Sequence, residues 1–454
     1  MTLSYPPGPR YRPGIVNMLM RQAQQANFHL NLARQYGDIV YFKFGPVGLY
    51  LLSDPNDIRD VLVIHNKKFV KLGSLRGQQM FRSLLGNGLL LSEDEFHLRQ
   101  RRLIQPAFHR QRIAGYAKVM ADYAIRTRER WRQFPVGAEF DMAEEMMRLT
   151  LSVVGMTLFD TDVEKDAPEV GQAMAELFTL FNRTISPLHV VLDRLRPGAS
   201  DRFWQARAKI DDIIYRLIKE HRASGDDRGD LLSMLLSAQD EEGGTGGMSD
   251  EQVRDEAITL FLAGHETTAL ALTWTWYLLA QHPEVEAKLH AELEEVLGDR
   301  PPSFEDVPKL KYAERVFSEV LRMYPPAWLF SRTAREEHEI GGYSLAPGAV
   351  VAISPYVVHH DPRYYPDPFK FDPERWTPEA KEARPKFTYF PFGGGNRICI
   401  GESFAWMEAI LILATLAQSW RPRLVPNQTI KPQAMITLRP KYGVKMTLES
   451  RRDL

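Results

Sequence analysis

Apolar positions recur every three to four residues along most of this chain, the spacing of helices that bury one face. The pattern predicts helices over residues 55–64, 95–108, 111–134, 141–159, 201–222, 250–281 and 402–420. Near the N-terminus the period shortens. Residues 38–53 alternate apolar and small side chains around Gly45-Pro46, which predicts a β-hairpin. The run Asp240-Glu241-Glu242-Gly243-Gly244-Thr245-Gly246-Gly247 reads as a loop, and Ser249 with Gln252 predicts a capping box for the helix that follows. The fold class is therefore mainly α with a small β region.

Two of these helices sit beside residues that their apolar pattern does not require. Ala263-Gly264-His265-Glu266-Thr267-Thr268 interrupts helix 250–281 with polar groups at its centre. A threonine there can turn its hydroxyl onto the carbonyl four residues earlier, which is expected to open the helical ladder and make room for water and oxygen. Helix 402–420 follows Phe392-Gly393-Gly394-Gly395-Asn396-Arg397-Ile398-Cys399-Ile400-Gly401, which holds the single cysteine of the chain. A lone thiol closes no intrachain disulfide and builds no multi-cysteine zinc or iron-sulfur site, whereas a haem iron takes one axial thiolate. The glycines permit positive φ and close backbone approach to a flat ring, and they leave amides free to face the sulfur. Those amides and the following helix N-terminus are expected to favour the thiolate.

The glycine-rich stretch resembles the haem-binding signature of the cytochrome P-450 family, F-x-x-G-x-R-x-C-x-G, at every fixed position. The resemblance implies a cytochrome P-450 fold, with haem b buried between a long distal helix and the loop and helix of the cysteine ligand. Cys399 is then the iron ligand, Arg397 a propionate partner and Phe392 an aromatic wall beside the sulfur. Ala263, Gly264, Glu266 and Thr267 match the family's distal motif, A/G-G-x-D/E-T. There the small residues leave room above the iron, Thr267 serves the oxygen site and Glu266 links it to bulk protons. Glu319 and Arg322, three apart on one helix face, match its E-x-x-R pair, and Arg375 in Phe371-Asp372-Pro373-Glu374-Arg375-Trp376 is expected to complete a buried structural triad. His97 and Arg101 resemble a further propionate-binding pair, and Arg332 another such position. Leu90, Ala327 and Ile436 are implied around the substrate cavity, and Phe178, Leu180 and Phe181 along its access channel.

Composition changes the picture in a few respects. Length alone, at 454 residues, points to about three domains, whereas the resemblance implies one catalytic domain over 1–454. A net charge of -1 gives no electrostatic ground for nucleic acid as a partner. The proline-rich N-terminal segment, 1–14, is too polar for a spanning helix, so no membrane anchor and a cytoplasmic location are expected. The resemblance implies a monooxygenase that uses dioxygen and two external electrons to oxidise a lipophilic C–H or C=C bond in a fatty acid, terpenoid or steroid-like substrate. No flavin or iron-sulfur motif accompanies the haem signature, so a separate ferredoxin or flavodoxin with its reductase is expected, docking on Arg99, Arg102 and Lys386. The alternatives are a peroxygenase or isomerase of the same fold and a non-catalytic haem ligand sensor. The Glu266-Thr267 pair counts against the first, and the lack of an output-domain pattern against the second.

Overall fold

The computed structural model describes residues 5–9, 26–44, 47–71, 82–162, 199–225, 227–239 and 246–451. Helix α1 (Ala26–Tyr36) leads into the expected hairpin, β1 (Ile39–Phe44) and β2 (Val47–Leu52), whose Gly45-Pro46 turn lies outside the described residues. Asp54 caps α2 (Pro55–Arg59) by accepting from the Asn56 and Asp57 amides. The chain then widens into a π-helical turn, Asp60–Ile64, closed by the His65 amide on the Asp60 carbonyl at 2.8 Å. A period of 3.6 read from sequence does not distinguish such a turn from ordinary helix.

After the short β3 (Phe69–Val70) come α3 (Asp94–Ile104), α4 (Arg110–Trp131), α5 (Met142–Phe159) and α6 (Ala199–Ser224). The longest described helix, α7 (Asp250–Leu279), starts at the expected capping box, with the side chains of Ser249 and Gln252 each bonded to the other's backbone. Next are α8 (Lys311–Met323), β4 (Phe330–Ala334), β5 (His338–Ile340), β6 (Tyr343–Leu345) and β7 (Val350–Ile353). Helix α9 (Glu402–Ala417) follows the cysteine loop, and β8 (Pro432–Ala434) pairs with β9 (Leu438–Pro440). The expected helix 402–420 runs too far, because Trp420 opens a strand paired with Ser450. An aromatic residue extends an apolar pattern in either structure.

One sheet has the order β1-β2-β7-β4-β3, with β2 and β7 parallel and the other neighbours antiparallel. The main core gathers Met120 from α4, Val153 from α5, Trp274 from α7, Phe317 from α8 and Leu411 from α9, all buried. Helix α7 is buried on almost every side, which suits a sequence with no continuous polar face.

The Glu319–Arg322 pair lies within this core with both side chains fully buried. Arg322 meets both carboxylate oxygens at 2.8 Å and donates onward to the carbonyls of His359, Pro368 and Lys370. Glu319 also accepts from the Trp376 indole at 2.9 Å and the Asp372 amide at 3.1 Å. The expected third member, Arg375, stands 3.4 Å from Glu319 without an aligned hydrogen bond. Its guanidinium donates instead to the Pro366 and Asp367 carbonyls. Arg375 thus stands in ion-pair range of Glu319 as expected, and the Trp376 indole adds a hydrogen bond to the same carboxylate that the sequence did not reveal. Replacing Glu319 by Gln leaves a buried guanidinium without its anion, and the expected cost is about 3–5 kcal/mol of stability together with poor haem retention. Denaturant unfolding and the Soret-to-protein absorbance ratio of purified Glu319→Gln check this, and wild-type values for both would refute it.

Candidate functional site

The cysteine loop is held by backbone. Phe390 donates its amide to His359 Nε2 at 3.0 Å, and the Tyr389 hydroxyl donates to the Ser318 carbonyl at 3.1 Å, so the segment before the loop hangs on the core around α8. The Cys399 amide then closes the loop onto the Phe392 carbonyl at 3.0 Å. Gly395 has φ +69°, and a Cβ there would lie 1.9 Å from the Leu62 carbonyl oxygen in the π-turn, so glycine is required both by conformation and by approach.

Cys399 is accessible, yet its thiol is surrounded closely enough that burial pushes its pKa up. Together these describe a sulfur lining a space inside the protein. The expected thiolate is not what the polypeptide alone favours. Burial outweighs the Gly401 amide that faces the sulfur, Glu402 adds to the rise, and Arg101 and Lys71 oppose it only as lesser effects. A metal ion at the sulfur reverses that balance, because a coordinated thiol loses its proton.

Beside the loop lies a group of cations with little to balance them. Lys71 is pushed down to about 7, first by burial and then by Arg332 and Arg397. His97 is pushed to about 3 by burial, Arg397 and Arg101, so its imidazole is neutral at physiological pH. Burial and Arg397 likewise lower Arg332 to about 10. Arg397 is lowered by its own burial, with Glu93 opposing. Glu93 accepts the Lys71 amide at 2.7 Å and pairs with Arg397, whose other terminal nitrogen, Nη1, is buried without a hydrogen-bond partner. Lys71 and Glu93 were not foreseen, since both lie in irregular segments where no pattern marks them. Arg101 was foreseen as a propionate partner, but its guanidinium donates to the Ile398 carbonyl at 2.8 Å and so braces the cysteine loop.

On the distal side, the Thr267 hydroxyl donates to the Ala263 carbonyl at 2.7 Å, the expected turn-back. The ladder nevertheless stays helical through this segment, because the bond adds to the carbonyl's helical role without replacing it. Ala263 is exposed between buried Phe261 and His265, so it too borders an internal space. Gly264 does not extend that opening, since a Cβ there would meet Val154 Cγ2 of α5 at 3.4 Å. Glu266 is buried and turned toward the chain's last hairpin, accepting from the Thr437 hydroxyl at 3.0 Å and from Arg439 at 3.2 Å. Burial raises its pKa, and Arg439 followed by Thr437 opposes the rise. Glu408 of α9 is fully buried and pushed up to about 8, with the Thr268 hydroxyl only partly offsetting the burial. Neither carboxylate oxygen makes a hydrogen bond of ordinary geometry.

The sequence profile described as Cytochrome P450 matches residues 6–447. The chain belongs to the cytochrome P450 family. It is 44% identical to cyclooctatin synthase of Streptomyces melanosporofaciens over 89% of this chain and 87% of that protein. Cyclooctat-9-en-7-ol 5-monooxygenase of the same organism is 38% identical over 87% of this chain and 84% of its own length. Pentalenene oxygenase of Streptomyces avermitilis is 36% identical, covering 92% and 91%. As a P450 the protein is a haem-thiolate monooxygenase whose cofactor is haem b, and it works with dioxygen, a lipophilic substrate and redox partners. The residues present fit that group: an accessible internal sulfur faces the space, and the cation surplus with its orphaned Arg397 nitrogen suits two propionates.

The expected substrate-contacting residues of this P450 come from segments tied to one another. Leu90 is exposed on a loop bonded to α7 through the Asn87 amide on Asp255 and the Leu89 amide on Glu256. Ala327 is exposed and Ile436 half-buried, and their segments are joined by the Trp328 indole on the Met435 carbonyl and the Leu438 amide on the Pro326 carbonyl. Phe178, Leu180 and Phe181 lie outside the described residues. A separate cavity of about 540 Å³, bordered by Tyr116, Met156 and Asp230, contains none of the expected site residues. Among the expected docking residues, Arg102 and Lys386 are exposed, while Arg99 donates to the Gly246 and Gly247 carbonyls. No helix of the described residues is long and apolar enough to cross a membrane.

Glu408 gives this site a pH dependence. The folded chain holds that proton up to about pH 8, while an unfolded chain releases it near 4.5, so between those values folding binds an extra proton. Stability must then fall as pH rises through the window, by an amount on the order of a few kcal/mol. Glu408→Gln cannot ionise, so its melting temperature relative to wild type should climb from pH 5 to pH 8.5. A difference that stays flat across that range contradicts the buried neutral acid.

Proposed function

We propose that this P450 inserts oxygen into a C–H bond of a cyclic terpenoid, with electrons from a separate ferredoxin or flavodoxin, in the cytoplasm. The observation that carries the reading is Ala263, exposed in the middle of a mostly buried helix and followed by the Glu266-Thr267 pair, together with the accessible sulfur of Cys399. The substrate class is supported by the relatives' names, which specify oxidation of cyclooctat-9-en-7-ol and of pentalenene. Apolar Leu90, Ala327 and Ile436 suit a hydrocarbon skeleton positioned by shape. The retained acid and threonine favour this reading over a peroxygenase or an isomerase.

When bound, haem supplies the oxygen activation and the C–H oxidation. The polypeptide does the rest. Cys399 would hold the iron through its sulfur, while Arg101 and the Gly401 amide hold the loop that presents it. Arg397, Arg332, Lys71 and neutral His97 would receive the propionates, whose negative charge would relieve the repulsion within the cation group. Phe392 walls the proximal side, half-buried against the core. Thr267 swings its hydroxyl from the Ala263 carbonyl to hold the oxygen site and pass it protons. Glu266, held by Thr437 and Arg439, would resupply those protons once its carboxyl turns from that pair. Glu319, Arg322 and Arg375 keep the scaffold beneath in register, and the pocket's shape selects the bond that reacts.

Cyclic terpenes and their alcohols should shift the ferric Soret band from low to high spin at lower concentrations than fatty acids of similar carbon number. The reverse order would overturn the substrate class. With a substrate found in this way, Thr267→Ala should consume reductant at a comparable rate yet release peroxide and form roughly a tenth or less of the wild-type product yield. Unchanged coupling would remove Thr267 from the proton path.

A further inference from the structure

We propose that Asp60, His65 and His338 form a binding site for one divalent transition-metal ion, zinc by the chemistry of its ligands, on the π-turn that buttresses the cysteine loop. Each residue offers one ligand atom, and these atoms all lie within 4.8 Å of one another. Two imidazoles and a carboxylate are the donor set of an open zinc site, with a fourth position left for water.

The backbone shows how two of the three ligands are brought together. Residues five apart on an α-helix diverge by about 140° around the axis. Here the chain departs from α geometry over Asp60–Ile64, and the π-turn sets Asp60 and His65 on one face, with His65 Nδ1 2.7 Å from Asp60 Oδ1. A π-turn stretches helical bonding and is often kept where a site needs it. Besides burying Val61 and Leu62, the turn has this pairing as its geometric product.

The third ligand is pre-set by its surroundings. His338 is buried at the start of β5 and points Nε2 at Asp60 Oδ2, 2.6 Å away. Its ring is boxed by the edge-on ring of Phe69 at 5.3 Å and the tilted ring of His65 at 4.8 Å. Both histidines thus aim a nitrogen at the same carboxylate, one at each oxygen. Zinc held about 2.0–2.1 Å from each nitrogen and from one oxygen spreads ligand atoms to roughly 3.3 Å. The 2.6 and 2.7 Å contacts need to open by about 0.6–0.7 Å and the widest ligand pair, at most 4.8 Å apart, to close by up to about 1.5 Å, for which the partly exposed His65 side chain has room to move.

The surrounding charge favours a cation. Asp57, one turn before Asp60, is pushed up to about 6 by burial and by Asp54, Asp60 and Asp38, which marks an excess of carboxylates. Of the nearby lysines, Lys68 is paired with Glu336. A metal here also reaches the haem side mechanically. Gly395 of the cysteine loop packs on the Leu62 carbonyl, so locking Asp60 to His65 and His338 stiffens the wall against which that loop is set.

The test is equilibrium dialysis of the haem-loaded enzyme against zinc, with the carbon-monoxide spectrum confirming that Cys399 stays committed to haem. Wild type should take up one zinc per haem at micromolar or tighter affinity, with a higher melting temperature in zinc. His65→Ala and Asp60→Asn should weaken binding by roughly 100-fold or more, since loss of a ligand costs no less than loss of a supporting residue. His109→Ala, an exposed histidine elsewhere, should bind as wild type does. Because His65 is on the surface, its variant separates metal loss from misfolding. No saturable zinc in wild type, or full binding retained in both His65→Ala and Asp60→Asn, overturns the site and leaves two histidine–aspartate hydrogen bonds that merely pin a strand to a helix.

Discussion

The buried ion pair of Glu319 and Arg322 is the constraint on which the rest of this molecule depends. Two charges removed wholly from water are tolerable only if every donor and acceptor around them is used. The structure meets that demand by drawing in the His359, Pro368 and Lys370 carbonyls, the Asp372 amide and the Trp376 indole. The segment between residues 359 and 376, irregular up to a short 3-10 helix at Pro373–Trp376, is thereby fixed. His359 then passes the constraint to Phe390, and from there the glycine turn carries Cys399 to a defined place. A helical pair with no direct part in the chemistry thus sets the position of the sulfur.

The site built on this scaffold is electrostatically incomplete as a polypeptide. Lys71, Arg332 and Arg397 raise one another's cost of ionisation with Glu93 as their close counter-charge, and the Cys399 thiol is harder to ionise than a free one. In the proposed arrangement haem would resolve both imbalances, since propionates would bring the missing negative charge and iron would take the thiolate. Protein and cofactor would then stabilise each other, and affinity for haem would become part of the folding free energy. On the other face, Glu266 is anchored in the opposite sense, held by Arg439 and Thr437 away from the accessible surface of Ala263.

Much of this was legible in residue order. The glycine-rich turn, the capping box at Ser249, the Thr267 turn-back and the Glu319–Arg322 pair are local, each made by residues within a few positions of one another, so spacing specifies them. Residue order does not name the partners where one residue type has several possible neighbours. Arg101 braces Ile398, Arg99 reaches Gly246 and Gly247, and Trp376 bonds Glu319 more closely than Arg375 does. Long charged side chains reach whichever partner the packing offers, and no spacing rule chooses among them. Lys71, Glu93, Thr437 and Arg439 were missed because nothing regular surrounds them, and the bond from Thr437 to Glu266 spans 171 residues.

The sequence by itself determined the helical class and pointed to the cofactor, because a lone cysteine in a glycine turn and an acid-threonine pair within an apolar helix are chemical demands written into neighbouring residues. Tertiary structure alone decided which cations gather beside the cysteine loop, where Glu266 finds its partners, and that a π-turn sets Asp60 and His65 against His338. The physical reason is range. Helical periodicity and turn chemistry act over a few bonds, whereas burial, repulsion between cations and the convergence of ligands depend on segments that meet only when the chain has folded.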